Sequence, residues 1–158
     1  MSTQDPVRFT VRELLLTAGI AMLAGGSLSD ASAAEVNIDR AARDYKLPDQ
    51  IPWSKPSASG TQSANLVGNP SKPGFYIQML KRPPNNWSGP HKHDHDRFIV
   101  VLEGTMWAGT GDDFDKEKTA GLPKGSFMTD FAGKIHYDGS KADGLTIMIS
   151  GTVPPKAA

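Results

Sequence analysis

The chain has 158 residues, with 17 basic and 17 acidic side chains, four His and no Cys. This length suits one ordinary domain, and a formal charge of zero provides no basic field for binding nucleic acid. The mean hydropathy of −0.37 is typical of a water-soluble protein rather than one with several membrane spans. The lack of Cys excludes disulfides, thiolate metal ligands and a thiol nucleophile.

Residues 1–33 have the pattern of a secretory signal peptide. Arg8 and Arg12 precede an apolar run over residues 14–26, and residues 31–33 (ASA) form an A-x-A cleavage site. The run is too short to cross ~30 Å of hydrocarbon as a helix. We therefore expect an exported protein, periplasmic or secreted, that keeps no membrane span once the signal peptide is removed.

The rest of the chain predicts an N-terminal extension over residues 34–63 and one β-domain over residues 64–158. Within the extension, residues 35–49 predict one short helix before Pro48. Residues 52–63 are rich in Pro, Ser and Gly, which is typical of a loop.

Seven short strands are predicted in the β-domain from β-branched and aromatic runs bounded by turn residues. They cover residues 64–68, 75–81, 97–103, 105–108, 126–131, 135–138 and 145–150. Residues 82–90 and 109–125 are expected to be loops. Short strands punctuated by 16 Gly and 12 Pro favour a β-sandwich or a small barrel.

All four histidines fall in two segments, residues 91–96 (HKHDHD) and residues 135–138 (IHYD). In an extended chain, side chains two residues apart point to one face, so His91 and His93 can converge on one point. His136 can complete the set from a separate strand, and neutral imidazoles are good ligands for Zn, Fe, Ni, Cu and Mn. The same spacing also fits a polar surface loop that binds metal adventitiously.

The two histidine segments resemble the paired motifs of the cupin superfamily, G-x5-H-x-H-x3,4-E-x6-G and G-x5-P-x-G-x2-H-x3-N. The matching positions are His91, His93, Gly104, Gly125, Gly133 and His136. The resemblance covers residues 64–152 and is closest to small single-domain bacterial cupins of the anti-sigma-factor-like type. It implies an all-β, double-stranded β-helix (jelly-roll) barrel. It also implies a divalent transition metal (Zn, Fe, Mn, Ni or Cu) held by His91, His93 and His136.

Four positions depart from the family motifs. They are Asn85 in place of Gly, Arg97 in place of the Glu ligand, Phe131 in place of Pro and Ser140 in place of Asn. The change at position 97 matters most. A guanidinium ~5 Å from a dication repels it by about 7 kcal/mol at an effective dielectric of about 20.

Three roles for Arg97 follow. In the first, Arg97 turns away and pairs with Asp94, Asp96 or another acid, which leaves a three-His site that His95 can assist as an extra ligand. In the second, its planar fork faces the metal and clamps the carboxylate or phosphate of a substrate. In the third, no metal is bound and Arg97 anchors an anion in a metal-free pocket.

Side chains on strands next to His136 are expected to line the ligand pocket, although packing in the core is their commoner role. The candidates are Tyr76, Gln78, Met79, Trp107 and Tyr137. Tyr137 is also the candidate proton donor. Asp138 is a candidate acceptor that would orient a ligand His.

Several functions remain open at this point. The first is a metal-dependent enzyme acting on a small organic substrate, because a three-His site without Glu resembles some cupin dioxygenases; lyase and isomerase chemistry are alternatives. The second is an exported module that binds or senses a metal or a small anion without turnover, with Arg97 as the anchor. The third is a structural barrel with an exposed His loop. The resemblance also implies pairing into a homodimer through strand edges.

Overall fold

The computed structural model describes residues 38–155. Residues from Asp44 onward form one compact unit, and residues 38–43 belong to another. The expected signal peptide lies outside the described residues, as do residues 35–37 of the predicted helix. Over the described part of the chain, no helix is long and apolar enough to cross a membrane.

The described residues form nine β-strands. In chain order these are β1 (Gln62–Val67), β2 (Gly74–Arg82), β3 (Trp87–His91), β4 (Arg97–Glu103), β5 (Thr105–Thr110), β6 (Ala120–Pro123), β7 (Phe127–Asp130), β8 (His136–Gly139) and β9 (Leu145–Val153). One sheet has the order β1-β2-β9-β4-β7 and the other β3-β8-β5-β6, with antiparallel neighbours throughout. The predicted all-β class is confirmed.

Two of these strands, β3 and β6, lie in segments that the sequence predicted to be loops. Both are edge strands of the four-stranded sheet, and each contains a proline, Pro90 or Pro123. Pro cannot donate a hydrogen bond to a neighbouring strand, so it is confined to sheet edges and bulges. The pairing of β3 is irregular between Ser88 and His91. The prolines and glycines of these two segments therefore led to a loop prediction where the structure has edge strands.

The short helix predicted over residues 35–49 is not found in its described part. Residues 40–42 form a turn, and a 3-10 helix occupies Pro48–Gln50. Every side chain from position 38 to position 50 is exposed, so a helix here would bury no apolar face. A helix this short is marginal in water without such packing.

The hydrophobic core lies on the inner faces of the sheets. Its fully buried members are Tyr76, Ile99, Val101, Met106, Leu145, Ile147 and Ile149. Side chains alternate between the two faces of a strand, so Arg97 shares the inner face of β4 with Ile99 and Val101. By the same alternation His136 and Asp138 share one face of β8, and both are buried. Polar groups thus point into the barrel beside its core.

Two departures from the family motifs have a local structural explanation. Asn85 has a φ of 56° and is the one residue other than Gly with positive φ in the described chain. Asn tolerates this left-handed conformation better than most residues. Ser140 is buried, and its Oγ donates to the carbonyl of Pro83 at 2.7 Å. Both substitutions fit the turn that follows β2.

The contact between the Tyr137 ring and Gly109 allows the packing of β8 against β5 to be tested by mutation. The ring is buried against Gly109, the residue opposite Tyr137 on β5, and the Tyr137 hydroxyl donates to the carbonyl of Asp115 at 2.9 Å. A Cβ at position 109 would collide with the ring. We expect Gly109→Ala to lower the free energy of unfolding by about 1–3 kcal/mol, as overpacking does. Urea denaturation measures this change.

Gly89→Ala is the matched control, because a Cβ at Gly89 meets no atom within 4 Å. It should change the free energy of unfolding by no more than about 0.5 kcal/mol. Equal urea midpoints for the two variants would contradict the observed packing of Tyr137.

Candidate metal centre

Three histidines come together at one end of the barrel. His91, the last residue of β3, lies directly opposite His136 on β8, with ring centroids 4.5 Å apart. His93 reaches the cluster from the turn after β3, with ring centroids 4.9 Å from His91 and 5.2 Å from His136. One potential ligand atom from each lies within 4.8 Å of the others. The prediction that His91, His93 and His136 lie together is confirmed. His93, however, lies beyond the end of β3 and not on the same strand as His91.

Main-chain carbonyls orient two of the three imidazoles. The Nδ1–H of His91 donates to the carbonyl of Gly89 at 2.8 Å, and that of His136 donates to the carbonyl of Lys134 at 3.0 Å. In each ring the Nε2 atom then carries the lone pair. This arrangement fixes the tautomer of metal-binding histidines in general. His91 and His136 are therefore prepared to ligate through Nε2.

The third imidazole, His93, is covered by Arg97. The Nη1 atom of Arg97 donates to Nε2 of His93 at 2.6 Å. Burial and the nearby guanidinium disfavour the imidazolium and lower the pKa of His93 to about 4. His93 is consequently neutral at pH 7, but its Nε2 lone pair is already engaged.

Arg97 does not pair with either acid expected from its own segment. Asp94 accepts from Nδ1 of His95 at 2.6 Å, and Asp96 accepts from the backbone N–H of Ala132 at 2.8 Å. The acid facing Arg97 is Asp130, with Arg97 Nε 3.8 Å from Asp130 Oδ2. Arg97 is thus paired with an acid and still directed at the histidine cluster.

Asp130 is a site residue that sequence reasoning missed. It ends β7 directly opposite Arg97 and is only 4% exposed. Its Oδ2 atom lies 3.4 Å from Nε2 of His136, and neither atom has a hydrogen-bond partner. Burial raises the pKa of Asp130, while His136 and Arg97 act in the opposite direction. The sequence did contain one indication of Asp130, because alternation along β7 places this acid on the same face as Met128. The sequence does not show that this face meets Arg97, which depends on the pairing of β7 with β4.

A cavity of about 150 Å³ opens beside His136 and Asp130. Its apolar wall includes Ala108, Met128, Phe131 and Ile135. Small-molecule sites have this character, with apolar walls and a few convergent polar groups.

No protein-family model and no curated protein matches the sequence significantly. Solved structures do match. The polyketide cyclase RemF from Streptomyces resistomycificus has a TM-score of 0.57 at 19% identity, covering 70% of this chain and 79% of that chain. An RmlC-like cupin from Shewanella frigidimarina has a TM-score of 0.57 at 13% identity, with 72% and 93% covered. KdgF from Halomonas sp. has a TM-score of 0.54 at 16% identity, with 70% and 95% covered. The fold is that of a cupin. The narrower anti-sigma-factor-like type finds no support among these neighbours.

Two of the other candidate site residues lie beside the histidine cluster of the cupin barrel without joining it. The hydroxyl of Tyr76 contacts Nε2 of His95 at 3.2 Å, and Nδ1 of His95 donates to Asp94. Both ring nitrogens of His95 are therefore engaged. The group of described residues able to hold a metal comprises the other three histidines.

The remaining candidates make their polar contacts outside the cluster, although Tyr137 and Asp138 line the cavity beside His136. Gln78 donates to Asn65 on β1 at 2.8 Å, and Asp138 pairs with Arg82 at 2.7 Å rather than with a histidine. Trp107 and Tyr137 lie on the face opposite His136, where the ammonium of Lys141 covers the Trp107 ring at 4.1 Å. Met79 lies on the face of β2 opposite Tyr76 and Gln78. The hydroxyl of Tyr137 is engaged with the carbonyl of Asp115, and its role as a proton donor stays a prediction.

The donor set of the three histidines fits a divalent transition metal. Three neutral imidazoles are suitable ligands, and bound Zn–N distances of about 2.0–2.1 Å require ligand atoms that are up to 4.8 Å apart to approach one another by up to about 1.4 Å. Arg97 must also leave His93 Nε2, since one lone pair cannot serve both. The nearby carboxylate of Asp130 offsets the charge of the guanidinium.

His93 gives a pH-dependent prediction for the metal-free protein. Its pKa is about 4 in the folded state against 6.5 ordinarily. Between these values the unfolded chain takes up more protons, so the contribution of His93 to folding stability decreases as pH falls from 6.5 to 4. NMR titration, assigned with a His93→Gln variant, should show the ring neutral at pH 6. Arg97→Gln should move its pKa upward, and a wild-type ring titrating near 6.5 would contradict the observed contact.

Proposed function

We propose that this cupin binds a divalent transition metal through His91, His93 and His136 and acts there on a small organic substrate. The observation that carries the proposal is that Nδ1 of His91 and Nδ1 of His136 each donate to a main-chain carbonyl, which leaves Nε2 free to ligate in a cluster whose ligand atoms lie within 4.8 Å of one another. When bound, such an ion polarises a carbonyl or binds dioxygen at an open position. Among these chemistries we favour a dioxygenase-like reaction.

The surrounding residues support binding of a small molecule. The cavity beside His136 has an apolar wall on which the body of a compact substrate can pack. Once displaced from His93, the Arg97 guanidinium offers a planar fork of donors that suits a carboxylate. We therefore favour a substrate with an apolar body and one anionic group.

Metal content tests this function directly. Tag-free protein, reconstituted with Fe, Zn, Mn, Ni or Cu and analysed by elemental mass spectrometry, should hold about one equivalent of metal. His91→Ala/His136→Ala should hold none, because only one imidazole of the cluster remains. His95→Ala is the matched control, since it removes a histidine of the same segment outside the cluster, and it should retain the metal.

A second candidate function is a module that binds a small anion without metal or turnover. The contact that favours it is the 2.6 Å hydrogen bond by which Arg97 occupies His93 Nε2. Absence of metal from reconstituted wild-type protein, together with acetate or phosphate binding that Arg97→Gln abolishes, would support this alternative. Metal-dependent oxygen consumption with a small diketone or aromatic acid would instead support the dioxygenase-like enzyme.

We also propose that the protein is exported to the periplasm or secreted. The support is the charged, apolar and small-residue pattern of residues 1–33. When the full chain is expressed in a Gram-negative bacterium, we expect the protein in the periplasmic fraction with Ala34 as its first residue. Peptide sequencing of the fractionated protein checks this, and an intact N-terminus in the cytoplasmic fraction would contradict it.

A further inference from the structure

Two buried acceptors face each other beside the histidine cluster. Nε2 of His136 carries a lone pair because its Nδ1–H donates to the carbonyl of Lys134. Oδ2 of Asp130 lies 3.4 Å from that nitrogen, and both atoms are buried without a hydrogen-bond partner. Leaving a buried polar atom unsatisfied costs about 1–3 kcal/mol, so such a pair requires an explanation.

Arg97 does not supply the missing partner. Its Nε atom lies 3.8 Å from Asp130 Oδ2 and is itself without a hydrogen-bond partner. Its Nη1 atom is directed to His93 instead. Arg97 therefore neutralises the carboxylate at a distance but leaves the Oδ2 lone pairs unused.

The distance between the two acceptors matches one edge of a coordination shell. Donors bound to an ion at about 2.0–2.2 Å in a tetrahedral arrangement lie about 3.4 Å apart. A divalent cation on His136 Nε2 would therefore have Asp130 Oδ2 within reach without movement of β7 against β8. The cation would satisfy both acceptors at once.

We propose that Asp130 is a fourth protein ligand of the metal, a role that rests on the three-His metal site proposed above. The carboxylate comes from β7, directly across from Arg97 on β4. A buried anion in the coordination shell also offsets the repulsion between Arg97 and the ion. The site then has three imidazoles and one carboxylate, and a substrate would enter as a fifth ligand when the coordination shell expands.

A double-mutant cycle separates a ligand from a neutralising neighbour. The cycle compares wild type, Asp130→Asn, Arg97→Gln and the double variant, with Asp112→Asn as the control that removes the same charge from an exposed loop. The affinity for Zn²⁺ is measured by competition with a chromophoric chelator, and Co²⁺ absorption reports the donor set. Circular dichroism of each metal-free variant verifies that it is folded.

If Asp130 is a ligand, Asp130→Asn weakens Zn²⁺ binding about 100-fold or more, since even outer partners of metal ligands cost 10–100-fold. The loss is the same in the Arg97→Gln background, the Co²⁺ spectrum changes, and Asp112→Asn binds like wild type. If Asp130 only neutralises Arg97, the loss disappears in that background, and the proposal is overturned. Unchanged affinity in Asp130→Asn also overturns it.

A crystal structure of the Zn²⁺-loaded wild-type protein provides a test that needs no variant. A distance of about 2.0–2.2 Å between Asp130 Oδ2 and the ion is expected, whereas a distance beyond about 3 Å would overturn the assignment. Failure of wild type to bind Zn²⁺ or Co²⁺ would instead refute the three-His site and, with it, the role of Asp130. A bound ion held by three histidines alone would leave the proposed function standing and remove only the fourth ligand.

Discussion

The site depends on the register of two antiparallel strand pairs, one in each sheet. Pairing of β3 with β8 sets His91 opposite His136, and pairing of β4 with β7 sets Arg97 opposite Asp130. Side chains alternate along a strand, so a slip by one residue in either pair would turn half of the site away from the barrel interior. The relative positions of His91, His136, Arg97 and Asp130 therefore depend on these two registers.

Charge is arranged differently here from the motif that the sequence resembles. A cation, Arg97, stands at the position of the family's Glu, and an anion, Asp130, stands beside it on the neighbouring strand. The two carry opposite charges, so the interior gains no net charge from the pair. The arrangement leaves His93 capped by Arg97 while His136 and Asp130 keep unused lone pairs. A metal ion would therefore have to displace Arg97 before it could bind His93 Nε2.

The barrel interior holds a second polar pair with a different character. Arg82 and Asp138 meet at 2.7 Å with both side chains largely buried. Breaking one partner of such a pair is costly because the other charge is left buried and unpaired, so this contact serves the fold. Near His136, by contrast, the polar atoms are 3.4 Å and 3.8 Å apart. The short contact between Arg82 and Asp138 stabilises the fold. The longer separations among Arg97, Asp130 and His136 lie beside the cavity.

Local sequence patterns determined the strand class, the position of β4 and the identity of the three histidines. These predictions succeeded because a buried strand is a continuous apolar run and because spacing within a short segment controls which side chains meet. The edge strands β3 and β6 were not predicted, because each contains a proline, a residue that is typical of turns. Only the tertiary structure decided that Asp130 faces His136, because this contact joins β7 and β8, whose placement is set by the packing of the whole barrel rather than by neighbouring residues. Arg97 and His93 are only four residues apart, but the structure was needed to show that the guanidinium turns to this imidazole rather than to Asp94 or Asp96.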